Sequence, residues 1–307
     1  MEGKPFPARG SGDYRRVRIV APARAVNPDA VERTVAALTA RGMTVTLGDH
    51  VFDVWHDVLH LAGRDEDRAH DLVMAIEDPA VDWILTARGG YGSLRLLPYL
   101  PSWTSPPRAP KPLVGFSDVT VLHALWRRWG WWSIHGANAE ADWSGEAGDS
   151  AIALLTPPAR LLAASAPLTC LAHPVTSTLL APWWGGNLTL VAALAGTPYQ
   201  PSLEGSVLYL EEVDEAAYRI DRLLQQLYLA GFFAGVRGVV FGGVSGEGGA
   251  EEGAVRTLLG ELGEKTGCPV WWGFPSSHRA PTLSVPWGVP LAIDPDGWVS
   301  LRAGDAP

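Results

Sequence analysis

Short apolar, strand-like runs alternate with stretches of helical spacing through the first half of the chain, and this alternation leaves few folds open. Val17–Ala21, Thr44–Leu47, Trp83–Thr86 and Leu113–Phe116 read as strands. Asn27-Pro28 supplies an N-cap and a first-turn proline for a helix running to about Arg41. Asp65–Ile76, Leu94–Leu97 and Val119–Trp129 read as further helices. Repeated β-α units with short connections predict an α/β fold with a parallel sheet covered by helices on both faces. Ligands of such sheets bind beyond the carboxyl ends of the strands. Two segments fall there, Arg88-Gly89-Gly90-Tyr91-Gly92 and Gly115-Phe116-Ser117-Asp118-Val119-Thr120.

Ser117 sits where a buried strand turns into a helix. A side chain on such an elbow is pushed outward, and the free N–H groups of the helix start can stabilise an anion beside it. A serine there is also a common N-cap, so nucleophile and cap are both open. A nucleophile needs a base, and the base an orienting acid. His278, in the loop after Val270-Trp271-Trp272, meets the requirement for the base, and His135, after Trp131-Trp132-Ser133-Ile134, competes with it. For the acid, Glu211 directly follows the apolar strand Val207–Leu210, where an unpaired carboxylate would be costly. Glu212 and Glu215 are its rivals, and Glu215 is already explained by a helix start. Arg88 could pair bidentately with a substrate carboxylate or brace its own turn.

The 307 residues suffice for two domains. We expect a disordered tail at 1–14, a first domain at 15–138 carrying the nucleophile, and a linker at 139–174 with one helix near Ile152–Leu162. A second α/β domain at 175–303 carries the acid and base, with helices at Leu188–Leu194, Glu215–Leu229 and Ala254–Lys265. The net charge of −9 and the absence of a basic run argue against nucleic acid. Two distant cysteines suggest neither a disulfide framework nor a thiolate metal site. No apolar leader is evident, and Leu227–Val244, the one span-like stretch, is broken by five glycines and Arg237. The expectation is a soluble, cytoplasmic protein without membrane or nucleic-acid partners. His56-Asp57-Val58-Leu59-His60 imitates a zinc motif, but Asp replaces its Glu and no third ligand follows, so no metal is expected. Of the fourteen tryptophans, the pairs Trp131-Trp132, Trp183-Trp184 and Trp271-Trp272 should each place one ring in the core and one outward.

Together these segments resemble the LD-carboxypeptidase family of serine peptidases. The likeness is carried by Ala87–Gly92 with Arg95-Leu96-Leu97, by Gly115–Thr120, and by Trp184-Gly185-Gly186-Asn187-Leu188. It continues through Gly196-Thr197-Pro198-Tyr199 and from Leu210-Glu211-Glu212 to Tyr218-Arg219-Ile220-Asp221-Arg222. The resemblance implies a Rossmann-like N-terminal domain, a smaller α/β C-terminal domain and a homodimer. It implies Ser117 as nucleophile, Glu211 as acid and His278 as base, with the backbone N–H groups of Gly90 and Asp118 as oxyanion hole and no cofactor. Arg88, Gly89, Tyr91, His135 and Trp184 are the candidates for touching substrate, a muropeptide. The alternatives are a branch resembling the microcin C immunity peptidase, which cleaves aminoacyl-nucleotide conjugates, and a non-catalytic peptide-binding protein. Ser277, Ala137 and Ala21-Pro22-Ala23-Arg24 depart from the usual family pattern, at positions that bear on specificity.

Overall fold

The first strand, β1 (Arg16–Val20), sends Val17 and Ile19 into one apolar layer and Val20 into the other, following the two-residue period of extended chain. The computed structural model describes residues 14–100, 109–162, 164–246, 249–279 and 282–301; apart from Tyr14, the expected disordered tail lies outside them. After β1 the chain forms α1 (Pro28–Ala40), β2 (Thr44–Leu47), α2 (Asp65–Glu77), β3 (Trp83–Thr86), β4 (Leu113–Gly115), α3 (Thr120–Arg128), β5 (Ser133–His135) and α4 (Glu146–Leu155). The α1 start is as expected, with the Asn27 side chain accepting the Asp29 N–H at 3.0 Å and Pro28 in the first turn. Leu94–Leu97 forms as part of a 3-10 helix, Ser93–Tyr99.

Strands β1 to β5 pair in parallel in the order β5-β4-β3-β1-β2. α1 and α4 supply Val31, Leu38, Ala151 and Leu154 to the apolar layer on one face. α2 and α3 supply Leu72, Ile76, Leu122 and Leu125 to the other, which continues without a break into the core of the second half.

That half runs β6 (Thr169–Ala172), β7 (Leu179–Asn187), α5 (Leu188–Leu194), β8 (Val207–Val213), α6 (Ala217–Leu229), β9 (Gly238–Ser245), α7 (Glu252–Thr266), β10 (Val270–Trp272), β11 (Val285–Trp287), β12 (Pro290–Ile293) and β13 (Val299–Ser300). Its sheet has the order β13-β12-β7-β8-β9-β10-β6, with β7 to β10 parallel and β6, β12 and β13 antiparallel to their neighbours. The fold is therefore mixed α/β with two sheets, the first almost wholly parallel.

Four expectations change. The segment 139–174 is more than a connection, because it contributes α4 to the first half and β6 to the second sheet. α4 also starts and ends earlier than expected, Thr156-Pro157-Pro158 closing it. β11 leaves the second half and pairs antiparallel with β5 at the edge of the first sheet, where Pro286 costs no interior ladder bond. Finally, both rings of each tryptophan pair are buried, none of them facing solvent. Among the described residues no helix is long and apolar enough to cross a membrane; Leu227–Val244 instead leaves α6 through Gly231 and Gly235 and enters β9.

Candidate active site

Strand β4 ends in extended backbone at Phe116 (φ −150°, ψ −175°), and Ser117 then turns back with φ +65°. A non-glycine residue in the left-handed region costs on the order of 1–3 kcal/mol and persists only where its surroundings fix it. Here the fixing comes from close approach. A Cβ on Gly115 would lie 2.1 Å from Thr86 Oγ1, and one on Gly89 would lie 2.9 Å from the Ser117 Cβ. Ser117 opens a 3-10 turn, Ser117–Val119, that leads into α3, and no side chain caps that turn. The N-cap reading of Ser117 is thereby set aside.

The Ser117 hydroxyl instead faces His278, with Oγ 3.0 Å from Nε2, while Nδ1 lies 2.7 Å from Glu211 Oε2. An ionised carboxylate only accepts, so Nδ1 carries the proton and Nε2 offers its lone pair to the serine O–H. Glu211 is fully buried on β8, and its Oε1 has no hydrogen-bond partner among the described residues. Burial would lower the His278 pKa. The hydrogen bond and charge of Glu211, with the charges of Glu212 and Asp214, outweigh burial and raise it above 6.5. The loop holding His278 is pinned by the Tyr209 hydroxyl, which donates to Ser276 O. The Thr282 hydroxyl also donates to Ser277 O (2.7 Å), and the Leu283 N–H to Pro275 O (2.7 Å).

The Gly-rich loop lies directly against this elbow. Asp118 is buried, and its carboxylate accepts the Ser93 N–H at 2.7 Å, tying the end of the loop to the turn that carries Ser117. Burial raises the Asp118 pKa. From below, the buried Arg68 guanidinium of α2 donates to Pro22 O, to Gly92 O (3.2 Å) and to Asp65, which also takes two bonds from Arg95. The Gly90 N–H has no acceptor among the described residues. Asp118, second in its turn, carries an N–H that the turn itself leaves unbonded. Gly90 follows Gly89, which abuts Ser117, and Asp118 follows Ser117 itself.

Other candidates fall differently. Glu215 lies outside the serine–imidazole–carboxylate line and pairs with Arg219. Glu212, next to a register irregularity in the β8–β9 pairing, accepts from Asn187 Nδ2 (2.7 Å), from the Thr189 N–H and hydroxyl (2.9 and 2.8 Å), and from the Val213 N–H (2.9 Å). His135 is completely buried among Phe116, His123, Tyr209 and Trp287. Burial first, then the charges of His123 and His278, hold its pKa well below 6.5. His135 thus has no exposed surface and lies outside the line of hydrogen bonds from Ser117 to Glu211. Trp184 is equally buried, so its expected contact with substrate is also withdrawn. Arg88 donates to Ala25 O (3.2 Å) and lies 3.4 Å from Glu140, an arrangement that braces the turn. Gly89 abuts Ser117, and Tyr91 is exposed on the same loop. His56 and His60 lie on a tight loop, joined by a 2.8 Å backbone bond and both with positive φ, so they do not stack along a helix.

Sequence reasoning passed over Arg68 and Thr120. Nothing distinguishes Arg68 from the other charges of α2 in the sequence, while Thr120 and Asn187 stood inside motifs with no role of their own.

Serine on a strained strand-to-helix turn, with imidazole and carboxylate in series, is the arrangement that activates a hydroxyl for acyl transfer; on this two-sheet α/β scaffold it defines a serine-hydrolase type of site. Two family descriptions match in order, the LD-carboxypeptidase N-terminal domain over residues 17–136 and the LD-carboxypeptidase C-terminal domain over residues 181–293. The murein tetrapeptide carboxypeptidase of Pseudomonas aeruginosa is 34% identical over 297 residues, covering 91% of this chain and 93% of its own. A Streptomyces coelicolor protein with a provisional carboxypeptidase name is 37% identical over 290 residues, covering 92% and 91%. Among solved structures, MccF in complex with glutamyl sulfamoyl guanosine matches with TM-score 0.79 at 21% identity, over 95% of this chain and 97% of its own. The muramoyltetrapeptide carboxypeptidase from Oxalobacter formigenes matches with TM-score 0.74 at 24% identity, over 93% and 97%. These structures share the fold. The chain belongs to the LD-carboxypeptidase family.

Proposed function

We propose that this protein is a serine carboxypeptidase of the LD type, hydrolysing the bond to a C-terminal D-amino acid in peptidoglycan-derived tetrapeptides. The observation that carries this reading is the line of hydrogen bonds from Ser117 through His278 to Glu211. The name of the Pseudomonas relative supports the substrate class. In this reading the enzyme works as a cytoplasmic homodimer on muropeptide fragments released from the wall.

In the first half-reaction His278 Nε2 takes the Ser117 proton as Oγ bonds to the scissile carbonyl carbon, and the carbonyl electron pair moves onto oxygen. The Gly90 and Asp118 N–H groups hold that oxyanion, a contribution that mutagenesis elsewhere puts at about 10²–10³ in rate per donor. Collapse of the tetrahedral adduct expels the amine of the D-amino acid, which takes the proton from His278. Water then repeats the sequence: His278 removes its proton, the acyl–Oγ bond breaks, and Ser117 regains its hydrogen. Glu211 stays ionised throughout, fixing the Nδ1–H tautomer and balancing the transient imidazolium.

All three tryptophan pairs are buried, so none offers a ring for stacking on a nucleobase; this favours the peptide over an aminoacyl nucleotide. The test is a panel of substrates on purified protein: a muramoyl tetrapeptide, its C-terminal amide, and an aminoacyl sulfamoyl adenosine. The tetrapeptide should be cleaved best and the amide poorly, with kcat falling about 10⁴–10⁶-fold in Ser117→Ala. Faster hydrolysis of the adenosine conjugate would reverse the substrate assignment. Retention of more than about a tenth of activity in Ser117→Ala, far above that expectation, would remove the mechanism.

A further inference from the structure

The motifs around Asn187 and Glu212 have no part in the proton transfers, yet they connect the two halves of the site. Thr120 is the first residue of α3 and fully buried. Its hydroxyl donates to Ser117 O at 2.7 Å and accepts the Asn187 N–H at 3.0 Å. Asn187 ends β7, and its side chain makes two more bonds: Oδ1 accepts the Leu190 N–H at the start of α5 (3.2 Å), and Nδ2 donates to Glu212 Oε1 (2.7 Å). Glu212 adjoins Glu211 on β8, and β7 and β8 pair with Asn187 opposite Glu211. Gly186 makes room for this contact, since a Cβ there would lie 2.3 Å from Thr120 Oγ1.

We infer that Thr120, Asn187 and Glu212 form a positioning relay. It carries the placement of Glu211, and through it of His278, across to the backbone of the nucleophile elbow. The relay rests on the proposed function, because it sets the geometry of the Ser117–His278–Glu211 line. Its members are positioning residues and touch no substrate. Successive residues of β8 have separate roles, for Glu211 bonds the imidazole while Glu212 anchors the strand to Asn187. The Thr120 hydroxyl, accepting from Asn187 and donating to Ser117 O, is where the relay reaches the elbow.

The test uses the full-length protein and a fluorophosphonate, an electrophile that reports the nucleophilicity of Ser117 whatever leaving group the enzyme prefers. Thr120→Val removes the hydroxyl and nearly conserves shape. Its labelling rate should fall roughly 10- to 100-fold, the scale expected for a reacting group displaced by a fraction of an ångström to one ångström. Thr120→Ser restores the hydroxyl and should restore the rate even if it lowers the melting temperature, and Glu212→Gln should slow labelling by a smaller factor. Wild-type labelling rates in Thr120→Val overturn the relay, as does Thr120→Ser being as slow as Thr120→Val. If Thr120→Val does not fold, Glu212→Gln decides, and labelling at the wild-type rate overturns the proposal. Wild-type protein left unlabelled at Ser117, judged against Ser117→Ala, would overturn the serine chemistry itself and the relay with it.

Discussion

Burial and charge pull His278 in opposite directions, and charge wins. The sign matters for activity. A general base must be unprotonated, so kcat/KM should fall as pH drops through the His278 pKa, with the acid limb above 6.5. Glu211→Gln removes the main influence that raises this pKa, leaving burial to lower it, so the limb should move to lower pH as the maximal rate drops. A pH profile of kcat/KM for both proteins checks this; an unmoved limb would contradict it. Gly89→Ala tests the elbow from the other side. Its new Cβ would crowd Ser117, and a rate loss of about 10²-fold with little change in melting temperature is expected. The hydrogen-bonded line of Ser117, His278 and Glu211 could be anticipated from the sequence because each ends an apolar run or lies in the loop after one. The choice between Glu211 and Glu212 was harder, since the two are adjacent in the sequence and only their distant partners tell them apart. The resting place of Trp184 was not legible, because a motif does not state its burial.

At the scale of elements, the Gly-rich loop depends on α2 through one buried cation. Arg68 bonds Pro22 O, Gly92 O and Asp65, and replacing it by Met leaves Asp65 without one of its two arginines. Breaking a buried pair from one side typically costs about 3–5 kcal/mol, and Arg68→Met should lose a comparable amount in urea unfolding followed by circular dichroism. A loss within about 0.5 kcal/mol, the range of ordinary surface substitutions, would show that the loop holds itself. The β-α units of the first half were readable because each strand is a compact apolar run with a helix behind it. β6, β11 and β12 were not. They are short antiparallel pieces, and β11 and β12 contain prolines that a local reading treats as breaks. Their pairing is decided by distant strands rather than by their own residues.

At the scale of the molecule, an apolar layer passes from α2 and α3 into the second sheet without interruption, and β11 returns the chain to the first. The halves should therefore lose structure together. Urea unfolding followed by tryptophan fluorescence and by far-ultraviolet circular dichroism should give coincident single transitions; two separated transitions would show that the halves stand alone. The crossing strand has one more effect. His278 lies between β10, bonded into the second sheet, and β11, bonded into the first. His278 thus hangs on a bridge with a footing on each bank, while Ser117 stands on one bank and Glu211 on the other. Any small slip between the banks is felt first at the middle of the bridge, before either sheet is disturbed. Catalytic rate should then be the most sensitive gauge of how the two halves are seated, declining under mild denaturant well ahead of any spectroscopic sign of unfolding.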